Sequence, residues 1–235
     1  MAKKMLALTA ALILLAGLSG AAAAQGNLTV AQETFLVLPY EDYYEGNIYA
    51  EVKNTGDMPV QFSGGLFELF DTAGNSIGSQ ELLYYDCNPE VLLPGETGYV
   101  YATIAVESAS EKGDIADYSL TVLGTGDITT SVTRYLATAH FQDGTAEFPS
   151  RRYAAAIVEN QTDEILRDFY AGFALKDAQG KLLYVTSGTW ASSGILGQSA
   201  MEIRLRVEEN IVDYWNSEGI VPASVEAIVF KTYKK

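Results

Sequence analysis

The stretch Phe67-Glu68-Leu69-Phe70-Asp71 decides the fold, because the chain nearly repeats it 106 residues later as Phe173-Ala174-Leu175-Lys176-Asp177. In both copies two apolar residues, separated by one position, precede an aspartate. A stretch that returns in this way indicates a duplicated structural unit. The sequence therefore predicts two similar modules in tandem. The positions that carry the motif are structural ones: Phe67, Leu69, Asp71, Phe173, Leu175 and Asp177.

The match extends beyond the motif. At the spacing of 106, Asn54 matches Asn160 and Gly74 matches Gly180. The first copy then has a loop four residues longer, after which the spacing becomes 102 and Gly95-Glu96 matches Gly197-Gln198. These two spacings fix which residues of the two modules are treated as equivalent.

Each copy has the pattern of antiparallel strands: apolar and polar residues alternate over short runs that turn residues separate. Asp71-Thr72-Ala73-Gly74 predicts a hairpin, since the aspartate accepts backbone N–H groups and the glycine can take a positive φ. Asp177-Ala178-Gln179-Gly180 predicts a second one. Short helical turns are expected around residues 109–115 and 207–215. The predicted fold class is all-β, with two tandem antiparallel β-sandwich domains over residues 25–127 and 128–235.

The first 24 residues have the parts of an export signal. Two lysines precede an apolar run from Met5 to Leu18, and Ala22-Ala23-Ala24 offers small residues for cleavage. The run is shorter than the roughly 20 residues of a membrane-spanning helix. We expect a signal peptide over residues 1–24 that is cleaved after Ala24, and a secreted or extracytoplasmic mature chain without a membrane span.

The chain is strongly acidic, with 15 Lys and Arg against 30 Asp and Glu and a net charge of −15. Such a surface repels phosphate backbones and anionic lipid headgroups, which excludes nucleic acid and bare membrane as partners. It favours solubility, cations or a basic partner, and charge alone does not choose among these.

A family resemblance rests on the first copy of the motif, with Val52-Lys53-Asn54-Thr55-Gly56-Asp57 before it and Leu93-Pro94-Gly95-Glu96 after it. These segments resemble the bacterial FxLYD domain. The first copy has Phe70 where that motif has tyrosine, and the second departs further, with Lys176 there. The resemblance implies an immunoglobulin-like β-sandwich in an exported or envelope protein of unassigned function. It carries no catalytic residue over.

The sequence contains no recognisable catalytic or metal-binding motif. The one histidine, His140, stands without a nucleophile motif, and the spacings typical of zinc, calcium and phosphate sites are absent. The one cysteine, Cys87, is interpreted as a small apolar side chain, with an intermolecular disulfide or a reactive thiol as the alternative. We therefore predict no enzyme activity, no metal and no cofactor; a carboxylate pair of the hydrolase type is the weakest alternative.

Comparison of the two copies suggests an apolar surface on the first module. The run from Met201 to Glu208 alternates apolar and charged residues, so its charges should face water. At the spacing of 102 the first copy has apolar residues at the charged positions, and a patch of this kind is uncommon on a monomer. Either the chain itself covers the patch, or another envelope protein or a second copy does. Glu51, charged where Ile157 is apolar, indicates instead that the faces trade roles. The predicted interaction face consists of Phe70, Val100, Ala102, Ile104 and Val106.

Two aromatic features suggest a small ligand. Trp190 and Trp215 form a candidate glycan platform, and the alternative is that they plug the end of a sandwich. The segment Tyr40 to Glu45 mixes rings with carboxylates, which suits a sugar or a cation, unless it is a plain polar loop. The sequence favours an exported, non-catalytic binding or adaptor protein that acts through protein–protein contacts at the bacterial cell envelope. A carbohydrate-binding module for cell-wall or extracellular glycans is the alternative.

Overall fold

The computed structural model describes residues 26–40, 42–143 and 151–235; the predicted signal peptide lies outside these ranges. The described chain is mostly antiparallel β-strand, which confirms the all-β class. It has one α-helix, α1 (Glu209–Glu218), and two short 3-10 turns at Tyr84–Asp86 and Lys112–Asp114. The strands are β1 (Leu28–Tyr40), β2 (Tyr43–Asn54), β3 (Val60–Phe70), β4 (Ser76–Leu82), β5 (Cys87–Asn88), β6 (Val91–Leu92), β7 (Thr97–Val106), β8 (Asp117–Thr125), β9 (Thr130–Arg134), β10 (Ala137–Gln142), β11 (Tyr153–Asn160), β12 (Phe169–Lys176), β13 (Leu182–Val185), β14 (Thr189–Ala191), β15 (Ser199–Arg206) and β16 (Ser224–Lys234).

The strands form four sheets, two from each half of the chain. In the N-terminal half (residues 26–127), sheet A has the order β1-β2-β7-β5, and sheet B has the order β4-β3-β6 with β8 also beside β3. In the C-terminal half (residues 128–235), sheet C has the order β13-β12-β16-β9 with β14 also beside β12, and sheet D has the order β10-β11-β15. The sheets bury their apolar faces in three clusters of core residues.

The two predicted hairpins have the same geometry. Asp71 Oδ1 accepts two backbone N–H groups of its turn at 2.8 Å, and Asp177 Oδ1 accepts two at 2.9 and 2.8 Å. Gly74 and Gly180 take φ values of +80° and +81°, a region that favours glycine. Local turn chemistry therefore recurs at the spacing of 106 residues.

A pair of buried asparagines also repeats. Asn54 Nδ2 donates to the carbonyl oxygen of Leu92 at 3.0 Å, and Asn160 Nδ2 donates to that of Ile195 at 2.9 Å. Each Oδ1 accepts the backbone N–H two residues further on, at 3.0 and 3.2 Å. Each amide thus holds a turn against a distant strand, and the distant residues, Leu92 and Ile195, are 103 positions apart.

The spacing of 103 residues also holds for the next strands, β7 and β15, and corrects their alignment. Ala50 pairs with Val100 in sheet A, whereas its counterpart Ala156 pairs with Ile203 in sheet D. Equivalent residues of β7 and β15 are therefore 103 positions apart, and the spacing of 102 expected from the sequence is wrong by one. A slip of one residue moves every side chain of a strand to the opposite face.

The predicted interaction face is consequently not a surface. Phe70 is half-buried at the end of β3 and does not join the other four residues. Those four are at most 8% exposed, and they pack against Phe67 and Leu69 inside the N-terminal half. The outward expectation is wrong for all four, because β7 pairs with β2 in the other register; they are Val100, Ala102, Ile104 and Val106.

The other face of β7 packs against the C-terminal half. Tyr49 and Tyr99 point away from the core of their own half and join a cluster with β13 and α1. The Tyr49 ring stacks on Tyr101 at 5.3 Å between centroids and contacts Tyr184 of β13 at 5.0 Å. Sheet A is therefore covered on both faces, and one of the three core clusters contains residues from both halves.

Polar contacts fix the position of the halves on each other. Lys176 Nζ donates to Glu51 Oε2 at 2.7 Å, with both side chains largely buried. Tyr99 Oη donates to Glu226 Oε2 at 2.7 Å. The backbone N–H of Leu182 donates to Gln32 on β1 at 3.0 Å. The edge strand β13 of sheet C is thus hydrogen-bonded to strand β1 of sheet A.

The register predicts opposite effects at two adjacent positions. We expect Ile104→Glu to destabilise the protein by about 3 kcal/mol or more, because it buries an unpaired carboxylate among apolar side chains. Ala105→Glu, one residue along the same strand at an exposed position, should change stability by less than about 0.5 kcal/mol. Urea unfolding followed by tryptophan fluorescence measures both. If Ala105→Glu were the more destabilising of the two, the register expected from the sequence would be correct.

The ion pair between the halves gives a second prediction. We expect Lys176→Met to cost about 3 kcal/mol, since it leaves Glu51 buried without its partner, and Glu51→Gln in the same chain should recover part of that loss. The control is Arg204→Met, which removes a more exposed pair with Glu202 and should cost less than about 1 kcal/mol. Equal costs in the two single variants would contradict the structural role of Lys176.

Candidate functional site: a cleft between the two halves

A cleft of about 410 Å³ lies where the two halves meet. Its N-terminal wall comes from β4, the 3-10 turn at Tyr84–Asp86, β5 and β7. Its C-terminal wall comes from β12, the segment from β13 to β14, and β16. The volume falls in the range of sites that hold small organic molecules, and contact zones between structural units are a common place for them.

Aromatic rings form much of the C-terminal wall. Tyr170 stacks on Phe230 with centroids 4.8 Å apart. Trp190 on the edge strand β14 meets both rings edge-on, at 5.8 and 6.1 Å, yet its side chain is 58% exposed. The indole is therefore held in place by two buried rings, and Trp190 is one of the residues that line the cleft.

Gly188 shapes this wall. It has a φ of +64°, and a Cβ placed on it would lie 2.1 Å from Tyr170 Oη. Both the backbone conformation and the close approach exclude other residues. The glycine lets the chain pass close to the Tyr170 ring two residues before Trp190.

Two carboxylates lie on the N-terminal wall. Asp86 Oδ2 accepts the backbone N–H of Leu83 at 2.6 Å, and burial raises its pKa. Glu90 is 6% exposed, and its Oε1 is buried without a hydrogen-bond partner. Burial raises the pKa of Glu90, and the nearby hydroxyl of Thr130 lowers it in part. Neither acid is neutralised by a strong hydrogen-bond network.

The charge of the cleft has one sign. Among the described residues that line it there is no lysine, arginine or histidine. Cys87 lies between the two acids in the chain, and burial followed by the charges of Glu90 and Asp86 raises the pKa of its thiol. The thiol is therefore buried, protonated and unreactive at neutral pH, as the interpretation of Cys87 as an apolar side chain predicts.

The structure separates the two tryptophans that the sequence placed in one platform. Trp190 lines the cleft, whereas Trp215 on α1 is 1% exposed and packs edge-on against Tyr184 at 6.0 Å. Trp215 cannot stack on a ligand, because its ring fills the core between α1 and β13. The platform of two tryptophans is therefore corrected to a single exposed indole.

The remaining sequence candidates lie outside the cleft. Tyr40 at the end of β1 pairs with Tyr43 at the start of β2, and their rings stack at 5.2 Å, so residues 40 and 43–45 are strand rather than loop; Glu41 lies outside the described residues. His140 on β10 lies 3.5 Å from Glu202. Neither segment contributes a side chain to the cleft.

Sequence reasoning missed most of the cleft. Tyr170, Phe230 and Gly188 read as ordinary strand and turn residues, and Glu90 as one acid among many. One signal is present in the sequence: Tyr84-Tyr85-Asp86 mixes rings and a carboxylate, as the segment from Tyr40 does.

Comparison with known proteins gives no match: no protein-family model, no curated protein and no solved structure is similar enough to this chain. Among the residues that the structure describes, no helix combines the length and apolar character needed to cross a bilayer. Within the same residues no three His, Cys, Asp or Glu side chains cluster as metal ligands.

The buried acid predicts a pH dependence. The folded pKa of Glu90 lies above its ordinary value of 4.5, so ionisation disfavours the folded state at neutral pH and has no effect once both states are protonated. We expect Glu90→Gln to raise Tm at pH 7, with a gain that shrinks as the pH falls through the raised pKa and disappears below about 4.5.

A matched variant should behave in the opposite way. Hydrogen bonds from Asn75 lower the pKa of Asp71, so its contribution to stability is present at neutral pH and is lost as the pH falls through that lowered pKa. Asp71→Asn should therefore lower Tm at pH 7 and lose its effect in acid. A Glu90→Gln protein that melts lower than wild type at neutral pH would show that the carboxylate is already compensated.

Proposed function

We propose that this chain is an exported, non-catalytic binding protein of the bacterial cell envelope that holds a small organic ligand in the cleft between its halves. The observation that carries the proposal is Trp190, a ring fixed by Tyr170 and Phe230 yet 58% exposed. Tryptophan is large and apolar, so holding it rigidly at the mouth of a cleft favours a molecule that stacks on it.

We further propose that the two halves are tandem FxLYD-like, immunoglobulin-like sandwiches over residues 25–127 and 128–235. The matching turns at Asp71 and Asp177 and the matching buried amides of Asn54 and Asn160 support a duplication. Export follows from the signal peptide predicted at residues 1–24. Neither the family resemblance nor the export rests on a match to a known protein.

A role through protein–protein contacts was the first expectation from sequence, and it rested on an apolar patch. Four of the five residues of that patch lie in the core, so the physical reason for expecting a protein partner there is removed. A carbohydrate ligand, the alternative from sequence, is favoured by one specific observation: Trp190 lies beside the polar side chains of Thr186, Ser187 and Thr189.

Intrinsic fluorescence tests the proposal, since the chain has only two tryptophans. We expect the emission of the exported protein to change when it is titrated with its ligand from a panel of small metabolites and soluble cell-wall glycans. Trp190→Phe should remove the change, because Trp215 is buried in the core. Trp190→Ala removes the fluorescent reporter, so its affinity is measured by titration calorimetry, and it should weaken binding at least about tenfold, which corresponds to about 1.4 kcal/mol.

The control is Tyr40→Ala, which removes an exposed ring from a hairpin outside the cleft and should leave binding unchanged. A ligand whose affinity is insensitive to Trp190→Ala would place the binding site elsewhere. A glycan hit with the expected sensitivity would favour the carbohydrate alternative, and turnover of any panel compound would contradict a non-catalytic role.

A further inference from the structure

The cleft contains a negative charge that the protein itself does not balance. Glu90 is only 6% exposed, and one of its two carboxylate oxygens, Oε1, is buried without a hydrogen-bond partner. The hydroxyl of Thr130 lies nearby and lowers the pKa of Glu90 only in part, whereas burial raises it more. A buried carboxylate is normally paired or fully hydrogen-bonded, so an uncompensated one at the wall of a cavity calls for a compensating group.

The missing group is a positive charge. A second carboxylate, Asp86, lines the same wall, and no basic side chain is among the described residues around the cleft. A neutral ligand would leave the two acids uncompensated, and an anionic ligand would add to their repulsion.

The rings on the opposite wall specify what kind of cation fits. Trp190 presents an exposed ring supported from behind by Tyr170, and Tyr101 adds a partly buried ring on the N-terminal wall. Aromatic faces attract ammonium groups and also bury apolar carbon. A bare metal ion gains little from such walls, and no cluster of three metal-ligating side chains exists among the described residues. The carbon skeleton therefore belongs on the rings and the charge near the acids.

We propose that the cleft recognises an organic ammonium, a cation whose apolar part packs on Trp190 and whose charged nitrogen is stabilised by Glu90. The inference rests on the proposed function, because it names the class of ligand for the same cleft. It assigns Glu90 to charge selection and Trp190 to stacking. Asp86 contributes to the negative potential while it also holds the backbone of Leu83.

Three compounds of one size and three charges test this: benzylamine, benzyl alcohol and benzoate, as cation, neutral molecule and anion. The readout is NMR of the two indole N–H signals of ¹⁵N-labelled exported protein, of which Trp190 should shift and Trp215 should not. We expect wild-type protein to bind benzylamine at least about tenfold more tightly than benzyl alcohol, and benzoate most weakly.

Glu90→Gln removes the charge with little change of shape. It should lower the affinity for benzylamine about tenfold, to that of benzyl alcohol, and leave the alcohol within about twofold. The matched control is Glu107→Gln, which makes the same change of charge at an exposed position outside the cleft and should alter neither affinity. This comparison separates local recognition from general attraction of cations to an acidic protein.

Each outcome decides the proposal. Equal wild-type affinities for the amine and the alcohol overturn it and leave a neutral-ligand cleft, so the broader binding proposal stands. An equal loss in Glu107→Gln also overturns it. If Glu90→Gln fails to fold, the amine and the alcohol are compared on wild-type protein at low and high salt, and a preference that high salt abolishes is general attraction and overturns the proposal. No shift of the Trp190 signal with any compound overturns the ammonium assignment, while the metabolite and glycan panel still tests whether the cleft binds a ligand.

Discussion

The packing of Tyr49 and Tyr99 against the C-terminal half is the contact on which the rest of the structure depends. These rings project from the face of sheet A that points away from the core of the N-terminal half. They pack in one cluster with Tyr184 and Trp215. Fully burying an aromatic ring contributes roughly 1.5–3 kcal/mol. The cleft exists because this contact holds β7 opposite β12 and β16; without it, Trp190 would lie on an isolated sheet edge.

Divergence between the two copies explains how that contact is specific. Lys176 stands where the first copy has Phe70, and Glu51 stands where the second has Ile157. As departures from a repeat these substitutions look unrelated, yet the structure joins Lys176 to Glu51 at 2.7 Å across the halves. A buried ion pair adds little net stability, but it penalises arrangements that separate its members. The pair therefore favours one docking position of the two halves.

Local chemistry could be predicted from the sequence, and strand register could not. The turns at Asp71 and Asp177 depend on side chains within a few residues, so the repeat located both. The register expected from the sequence was wrong because two identical residues, Gly95 and Gly197, were aligned with each other. The residue that shares the left-handed backbone of Gly95 is Gln198, with a φ of +56°. Gln198 tolerates this conformation because its amide donates to Gln161 and Asp163.

One part of the sequence argument survives the change of register. Moving the alignment by one residue exchanges which side chains face outward. The outward face of β7 still lacks the charges that β15 carries, because Tyr99 and Tyr101 occupy the positions equivalent to Glu202 and Arg204. The expectation that something covers this face is met by the chain's own second half. The sequence pattern correctly predicted that this strand carries fewer outward charges in the first module than in the second, but the residues predicted to face outward were wrong.

The cleft was beyond sequence reasoning for a different reason. Its walls come from segments as far apart as Gln80 and Thr232, and no spacing pattern connects them. What distinguishes it is a conflict with folding rules: Glu90 at its wall is buried, and its Oε1 has no hydrogen-bond partner. Proteins retain such costs mainly where a ligand offsets them. That cost to stability, rather than the size of the cavity, is the reason to assign the cleft a function.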